Sequence, residues 1–190
     1  MRCALLAKDL MPLETFERKR TKLQAEVLTH REDRAVPIGR GAMLIFENEL
    51  TVRFRLQEIL RREAISGDAA VQAEIDVYAS LLPDGNNLVA TFRLEFADAG
   101  ERMLRLAQLR GVENFVWMQV EGSPRIYAIA HRSDAGQDAA LHTLRFELSE
   151  AGVRALKLGR ALSFGVDHPA YNARQRVGEN VRQSLLKDLR

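Results

Sequence analysis

The chain has a single cysteine, Cys3, in 190 residues, so it forms no internal disulfide and no thiolate metal cage. One tryptophan, three tyrosines and eight phenylalanines leave aromatics at 6%. Five prolines and twelve glycines are too few for a low-complexity or fibrous chain. No apolar run approaches a membrane span, and the stretch Cys3 to Ala7 is too short for a signal-peptide core before Lys8-Asp9 ends it. Cytoplasm is the default expectation. An excess of one charge is also missing: 28 cations stand against 26 anions. Before residue 65 there are 13 cations and 10 anions, and after it 15 and 16, so neither half is a basic nucleic-acid domain.

What is present is arginine. Of the 28 cations, 23 are Arg and five are Lys. Arg suits planar, bidentate contacts to carboxylate or phosphate, although a GC-rich coding sequence gives the same bias. Hydrophobic residues at 46% can fill a core, and the length fits one domain over 1–190, helical to about residue 85 and sheet-rich from about 86.

Pro12 in a first turn opens a helix with Phe16, Leu23 and Val27 on one stripe, joined by Arg20 and His30. His30 falls at the C-terminus, where the dipole favours its charged form. A Gly39-Arg40-Gly41 turn leads into a strand, Met43 to Phe46. Asn48 caps a helix through Arg62 with Val52, Leu56, Ile59 and Leu60 on one face. Asp68 caps the next, and Pro83 to Asn87 stops it. From Leu88 the period becomes two. Strands are expected at Leu88–Phe96, Phe115–Val120, Arg125–Ala130, Leu141–Leu148 and Ala161–Val166, with helices opened by Asp98 and Ser149 and a closing helix carrying Val177, Val181 and Leu185. The order implies an α+β protein: a helical N-terminal part packed on a mostly antiparallel sheet, close to a ferredoxin-like split βαβ unit with an extra strand.

Common catalytic and phosphate-binding motifs are absent, and Gly39-Arg40-Gly41 precedes a strand, which makes it a structural turn. His142 lies on the apolar side of its strand with Leu144, Phe146 and Leu148, and His168 ends the last strand beside Asp167. If those two strands are neighbours, His142, Asp167 and His168 converge on an N/O site for a divalent transition metal such as iron, zinc or manganese. The plainer alternative is a hydrogen-bonded core histidine and a turn residue. The helix after Asn48 carries Arg55, Gln57, Glu58, Arg61 and Arg62. They read either as a solvated ion-pair face or, for Gln57, Glu58 and Arg61, as a cleft that Glu47 can join, with Glu58 as ligand or base. No serine or cysteine has a visible base partner, so no reaction can be named.

The stretches KDLMPLETFERKR (Lys8 to Arg20), LIFENELTVRFRLQEILRRE (Leu44 to Glu63), LLPDGNNLVATFRLEF (Leu81 to Phe96), RLAQLRGVENFVWMQV (Arg105 to Val120), HTLRFEL (His142 to Leu148) and GVDHPAY (Gly165 to Tyr171) run colinearly through nearly the whole chain. Together they resemble a bacterial domain family of unknown function numbered 3501. The resemblance implies genes beside a rubrerythrin-like di-iron protein and an iron–sulfur oxidoreductase, hence a redox or oxidative-stress setting with one of these as partner. It carries over polar positions at Glu47, Gln57, Glu58, Arg61, Glu63, Pro83, Asp84, His142, Arg145, Asp167, His168 and Tyr171. Two departures stand out: His131-Arg132-Ser133 where the family has an acidic stretch, and Thr143 where it has a bulky apolar residue.

Three functions follow as expectations. The first is a metal- or ligand-binding accessory, with His142, Asp167, His168 and Glu58 as ligands and Glu47, Gln57, Arg61, Arg145 and Tyr171 around them. The second is a non-catalytic interaction module with arginine and aromatic anchors such as Trp117 or Tyr127. RNA binding on a sheet is the third, and Phe92, Phe96 and Phe146 count against it because they lie on apolar faces. A homo-oligomer stays open.

Overall fold

A computed structural model describes residues 5–96, 98–131 and 140–190. Cys3, Arg132 and Ser133 lie outside the described residues. The elements run α1 (Leu13–Glu32), β1 (Ala35–Pro37), β2 (Ala42–Phe46), α2 (Glu49–Arg62), α3 (Asp68–Ala79), β3 (Asn87–Leu94), α4 (Ala99–Gln108), β4 (Val116–Val120), β5 (Ile126–Tyr127), β6 (Ile129–His131), β7 (Leu141–Glu147), α5 (Glu150–Lys157), β8 (Leu162–His168), β9 (Tyr171–Arg176) and α6 (Glu179–Leu186). The α+β class is as expected, but the strands are not one ferredoxin-like sheet. They form two antiparallel sheets, ordered β1-β2-β3-β7-β6 and β5-β4-β8-β9.

Period-two alternation explains how the sheets meet. Leu44, Phe46, Leu88, Ala90, Phe92, Leu144 and Phe146 of the first face Val116, Met118, Val120, Leu162, Phe164 and Val166 of the second in one core. Phe164 ties the layers together, with ring centroids 5.0 Å from Phe46 and 5.3 Å from Phe146. Val153, Leu156 and Leu185 bring α5 and α6 into the same core. A second cluster joins Val52, Leu56 and Leu60 of α2 to Ile75 of α3 and to Leu5, Leu81 and Leu82. On the far face of the five-stranded sheet, Thr91 of β3 meets Arg55 of α2 at 3.4 Å. β3 therefore has cover on both sides, and Leu88, Val89 and Ala90 are buried in succession.

Local signals hold at three caps. Asn48, Asp98 and Ser149 each accept a hydrogen bond from the backbone N–H three residues on, at 3.2, 2.8 and 3.2 Å. Asp68 instead lies inside α3, whose cap is Gly67 at φ +89°. The expected strand Arg125–Ala130 is two pieces. Tyr127 pairs with Trp117 in one sheet and Ile129 with Arg145 in the other, so the chain changes layer at Ala128. β9 was not expected, because Tyr171–Arg176 has no run of β-branched residues.

Candidate functional site

Most of the candidate residues prove to be cross-links of the fold. Glu47 follows β2 and is 1% exposed. Its carboxylate accepts hydrogen bonds from the hydroxyls of Thr51 (2.6 Å) and Thr91 (2.8 Å) and pairs with Arg55, so it joins α2 to β3 and faces no cleft. Gln57 is buried and makes two bonds to the Met11 backbone, donating to its carbonyl and accepting from its N–H, both at 3.0 Å. Glu58 receives the Arg20 guanidinium in bidentate fashion at 2.6 and 3.2 Å, with Arg61 at 3.3 Å. The Arg20 hydrogen bonds hold the Glu58 carboxyl below its ordinary range. Glu58 thus locks α1 onto α2. Arg145 bridges Asp84 at 2.9 Å and also pairs with Glu147. The Tyr171 hydroxyl donates to the Ile38 carbonyl, with the Arg40 carbonyl at 3.1 Å, and this clamps the β1–β2 turn against β9. Gly39 sits at φ +63° under that hydroxyl, and a Cβ there would come within 2.8 Å of it.

The histidines and Asp167 fall in separate places. β8 pairs with β4 and β9, not with β7, so the strand adjacency that would unite His142 with His168 is not met. His142 packs near Phe92, and its ring nitrogen lies 3.9 Å from a Glu113 oxygen. His168 is buried edge-on against Phe115 at 5.0 Å and accepts a hydrogen bond at Nδ1 from the Ala170 N–H at 3.1 Å. Asp167 points to the opposite side of β8, where Arg125 and the Tyr127 hydroxyl (3.1 Å) hold it. Among the described residues, no group of three or more His, Cys, Asp and Glu is placed to hold a metal ion.

The helical side holds a second buried network that sequence reasoning missed. Arg34 is 1% exposed. It donates to the carbonyls of Phe46 (3.1 Å), Glu47 (3.2 Å) and Ser184 (3.2 Å) and pairs with Asp188. Burial pushes the Asp188 carboxyl up, against the pull of Arg34. Beside it His30 Nε2 lies 2.9 Å from the Asn48 side-chain nitrogen, an amide that can only donate, so Nε2 accepts and carries no proton. Burial, followed by the Arg34 charge, lowers the His30 pKa. The charged form expected from the helix dipole loses to both.

The outer face of the four-stranded sheet is different. The register sets Tyr127, Trp117, Gly165 and Arg174 in one cross-strand row, and Gln119, Ser163 and Arg176 in the next. Trp117 lies flat in the room that Gly165 leaves, where a Cβ would collide with the indole. The Arg125 guanidinium covers the ring at 4.2 Å from its centroid, and Arg174 approaches at 5.9 Å. Trp117 is therefore 1% exposed and is no surface anchor, whereas Tyr127 is 49% exposed. Gln119, Ser163, Arg174 and Arg176 line a hollow of about 560 Å³ that Glu121 shares. Glu121 accepts from the Ala161 N–H at 3.3 Å. Among the described residues Arg174 makes a 3.4 Å contact to the Ser163 hydroxyl, and neither it nor Arg176 is ion-paired. The available signal was the alternation of Asn172, Arg174 and Arg176, which a proline break two residues before the strand concealed.

Comparison with known proteins gives the family and no activity. The profile of a family of proteins of unknown function, DUF3501, matches residues 4–189. The chain belongs to that family. A crystal structure titled as a novel protein of unknown function from Burkholderia pseudomallei K96243 shares 39% identity with this family member. The match covers 98% of this chain and 100% of that one, with a TM-score of 0.91. No curated protein matches. No helix among the described residues is long and apolar enough to cross a membrane.

Proposed function

We propose that this DUF3501 protein is a non-catalytic docking module that holds an acidic partner protein against the outer face of its four-stranded sheet. The observation that carries the reading is the pair Arg174 and Arg176, which line an open hollow with Glu121 and, among the described residues, form no ion pair with it or with any other carboxylate. Arg20, Arg55, Arg125 and Arg145, which cross-link elements of the fold, are by contrast matched by Glu58, Glu47, Asp167 and Asp84. Exposed Tyr127, at the far end of the Arg174 row, and half-exposed Arg125, over Trp117, are the residue types that dominate interfaces. The family resemblance implies a redox protein, rubrerythrin-like or iron–sulfur, as the partner.

RNA is a weaker fit, since Trp117 is covered and Phe92 and Phe146 are wholly internal, which leaves no row of exposed aromatics for bases among the described residues. Among the described residues the metal-accessory reading is supported by the approach of His142 to Glu113, two donors where a transition-metal site takes at least three from the protein.

The test is calorimetric titration of the full chain with the purified rubrerythrin-like protein and the iron–sulfur oxidoreductase, using wild type and the Arg174→Glu, Arg176→Glu double variant. Binding by wild type, weakened at least about tenfold in the variant, is expected. Equal binding by both proteins overturns the face. Stoichiometric iron, zinc or manganese in the purified chain, lost in His142→Ala, replaces this reading with the metal-accessory one.

A further inference from the structure

We propose that β9 is an open sheet edge that accepts one more strand, supplied by an acidic segment of a partner protein with carboxylates at every second residue. This deepens the docking reading and rests on it.

The hydrogen-bond phase of β9 comes first. Beyond the strand, the Val177 N–H donates to the Leu162 carbonyl at 2.8 Å, so residues 162 and 177 form a hydrogen-bonded pair. Such pairs alternate along an antiparallel ladder. In the register of β8 and β9, Gln175, Ala173 and Tyr171 therefore exchange bonds with Phe164, Val166 and His168. The N–H and C=O groups of Asn172, Arg174 and Arg176 are directed away from β8. No strand lies beyond β9 among the described residues. The Gln175 side chain satisfies the Arg176 carbonyl at 2.8 Å, which leaves Asn172 and Arg174 with a donor and an acceptor each on the open side.

The same three residues place their side chains on the outer face, in line with the rows that hold Asp167, Trp117 and Ser163. A strand laid along this edge sets every second residue opposite Arg174 and Arg176, with Cβ atoms about 5 Å apart. Carboxylates there complete the two guanidinium groups, which are exposed and unpaired. Backbone groups supply affinity and the arginines supply choice, the usual division of labour when a peptide extends a sheet. A second copy of this chain fits less well, because two β9 strands paired about a two-fold axis at Arg174 or Gln175 set arginine against arginine, and an axis at Ala173 offers Arg174 only Asn172. Arginines on an edge repel indiscriminate pairing while leaving it open to a strand of opposite charge.

The test is fluorescence anisotropy of the full chain with a labelled alternating peptide, Glu-Val-Glu-Val-Glu-Val. Two altered probes accompany it: the same peptide with alternate backbone amides N-methylated, which keeps charge and removes donors, and an oligouridylate of similar charge. Saturable binding is expected, weakened at least about tenfold both by N-methylation and by the Arg174→Glu, Arg176→Glu double variant. Circular dichroism checks that the variant is folded. Arginine-dependent binding that N-methylation leaves unchanged overturns the added strand and leaves the docking face standing. Peptide binding that ignores the two arginines overturns both. Absence of saturable peptide binding, or arginine-dependent capture of the oligouridylate alone, also overturns the proposal.

Discussion

Arg34, on the helical side, and Arg174, on the outer face of the four-stranded sheet, share one chemistry and meet opposite circumstances. Around Arg34 every donor is committed: three backbone carbonyls, the Ser184 hydroxyl and the Asp188 carboxylate close over a side chain that water does not reach. Arg174 reaches one hydroxyl at 3.4 Å, lies 5.9 Å from the centroid of the Trp117 ring, and otherwise faces solvent. A buried cation must be matched completely or it destabilises the fold. An exposed one can stay unmatched at almost no cost and so remains available to something else. Burial, more than residue type, separates an arginine that builds the protein from one that can recognise a partner.

The comparison breaks most visibly if Arg34 is removed. Arg34→Met strands Asp188 and the carbonyls of Phe46, Glu47 and Ser184, and loss of one partner from a buried pair costs about 3–5 kcal/mol. Urea denaturation will show a midpoint shifted by that amount or a chain that does not fold. Retention of wild-type stability would mean that the network is not closed as described. Next in size is Gly165→Ala. It drives a methyl group into the Trp117 indole and to within 2.6 Å of the Ala173 carbonyl, an overpacking that costs about 1–3 kcal/mol. The same change lifts Trp117 from beneath Arg125, so its fluorescence will shift to the red.

A pH series sharpens the contrast from the buried side. The His30 pKa is lowered in the folded state, so its contribution to stability is complete above the unfolded value of 6.5 and is lost as pH falls through the folded value. Asp188 runs the other way: its raised pKa favours the folded state most below 3.8, and that contribution fades as pH rises. The difference in melting temperature between wild type and His30→Gln isolates the histidine. Between pH 7.5 and 5.5 the wild type will lose more stability than the variant. Parallel curves would show that His30 titrates as it does in the unfolded chain. The smallest expected effect belongs to the outer face. Arg174→Glu with Arg176→Glu will change stability by no more than about 0.5 kcal/mol, as exposed substitutions away from special features do. A larger loss would mark the two arginines as structural, and the contrast with Arg34 would disappear.

The polar positions that stood out along the chain did so for a reason that was only partly read. Glu47, Gln57, Glu58, Arg145 and Tyr171 are polar groups at junctions of elements, and each closes a contact to a distant segment: Thr91, Met11, Arg20, Asp84 and Ile38. Charged and amide groups among apolar neighbours look alike in sequence whether they face a ligand or another strand. His142 and His168 looked convergent because strand neighbours were assumed from chain order. After β7 the chain crosses through α5 into the other sheet, where β8 pairs with β4 and β9, and this separates the two histidines.

Sequence by itself determined what depends on near neighbours. Caps at Asn48, Asp98 and Ser149, the glycine turn after Ile38, the change of period at residue 88 and the inward faces of β3 and β7 all follow from contacts a few residues apart, where backbone geometry leaves few choices. The tertiary structure alone decided how the strands divide into two sheets, which arginines find carboxylates, and that Tyr171–Arg176 is an edge strand among the described residues. Those outcomes depend on pairings across tens of residues, and the burial that selects among them exists only once both sheets have closed on a common core.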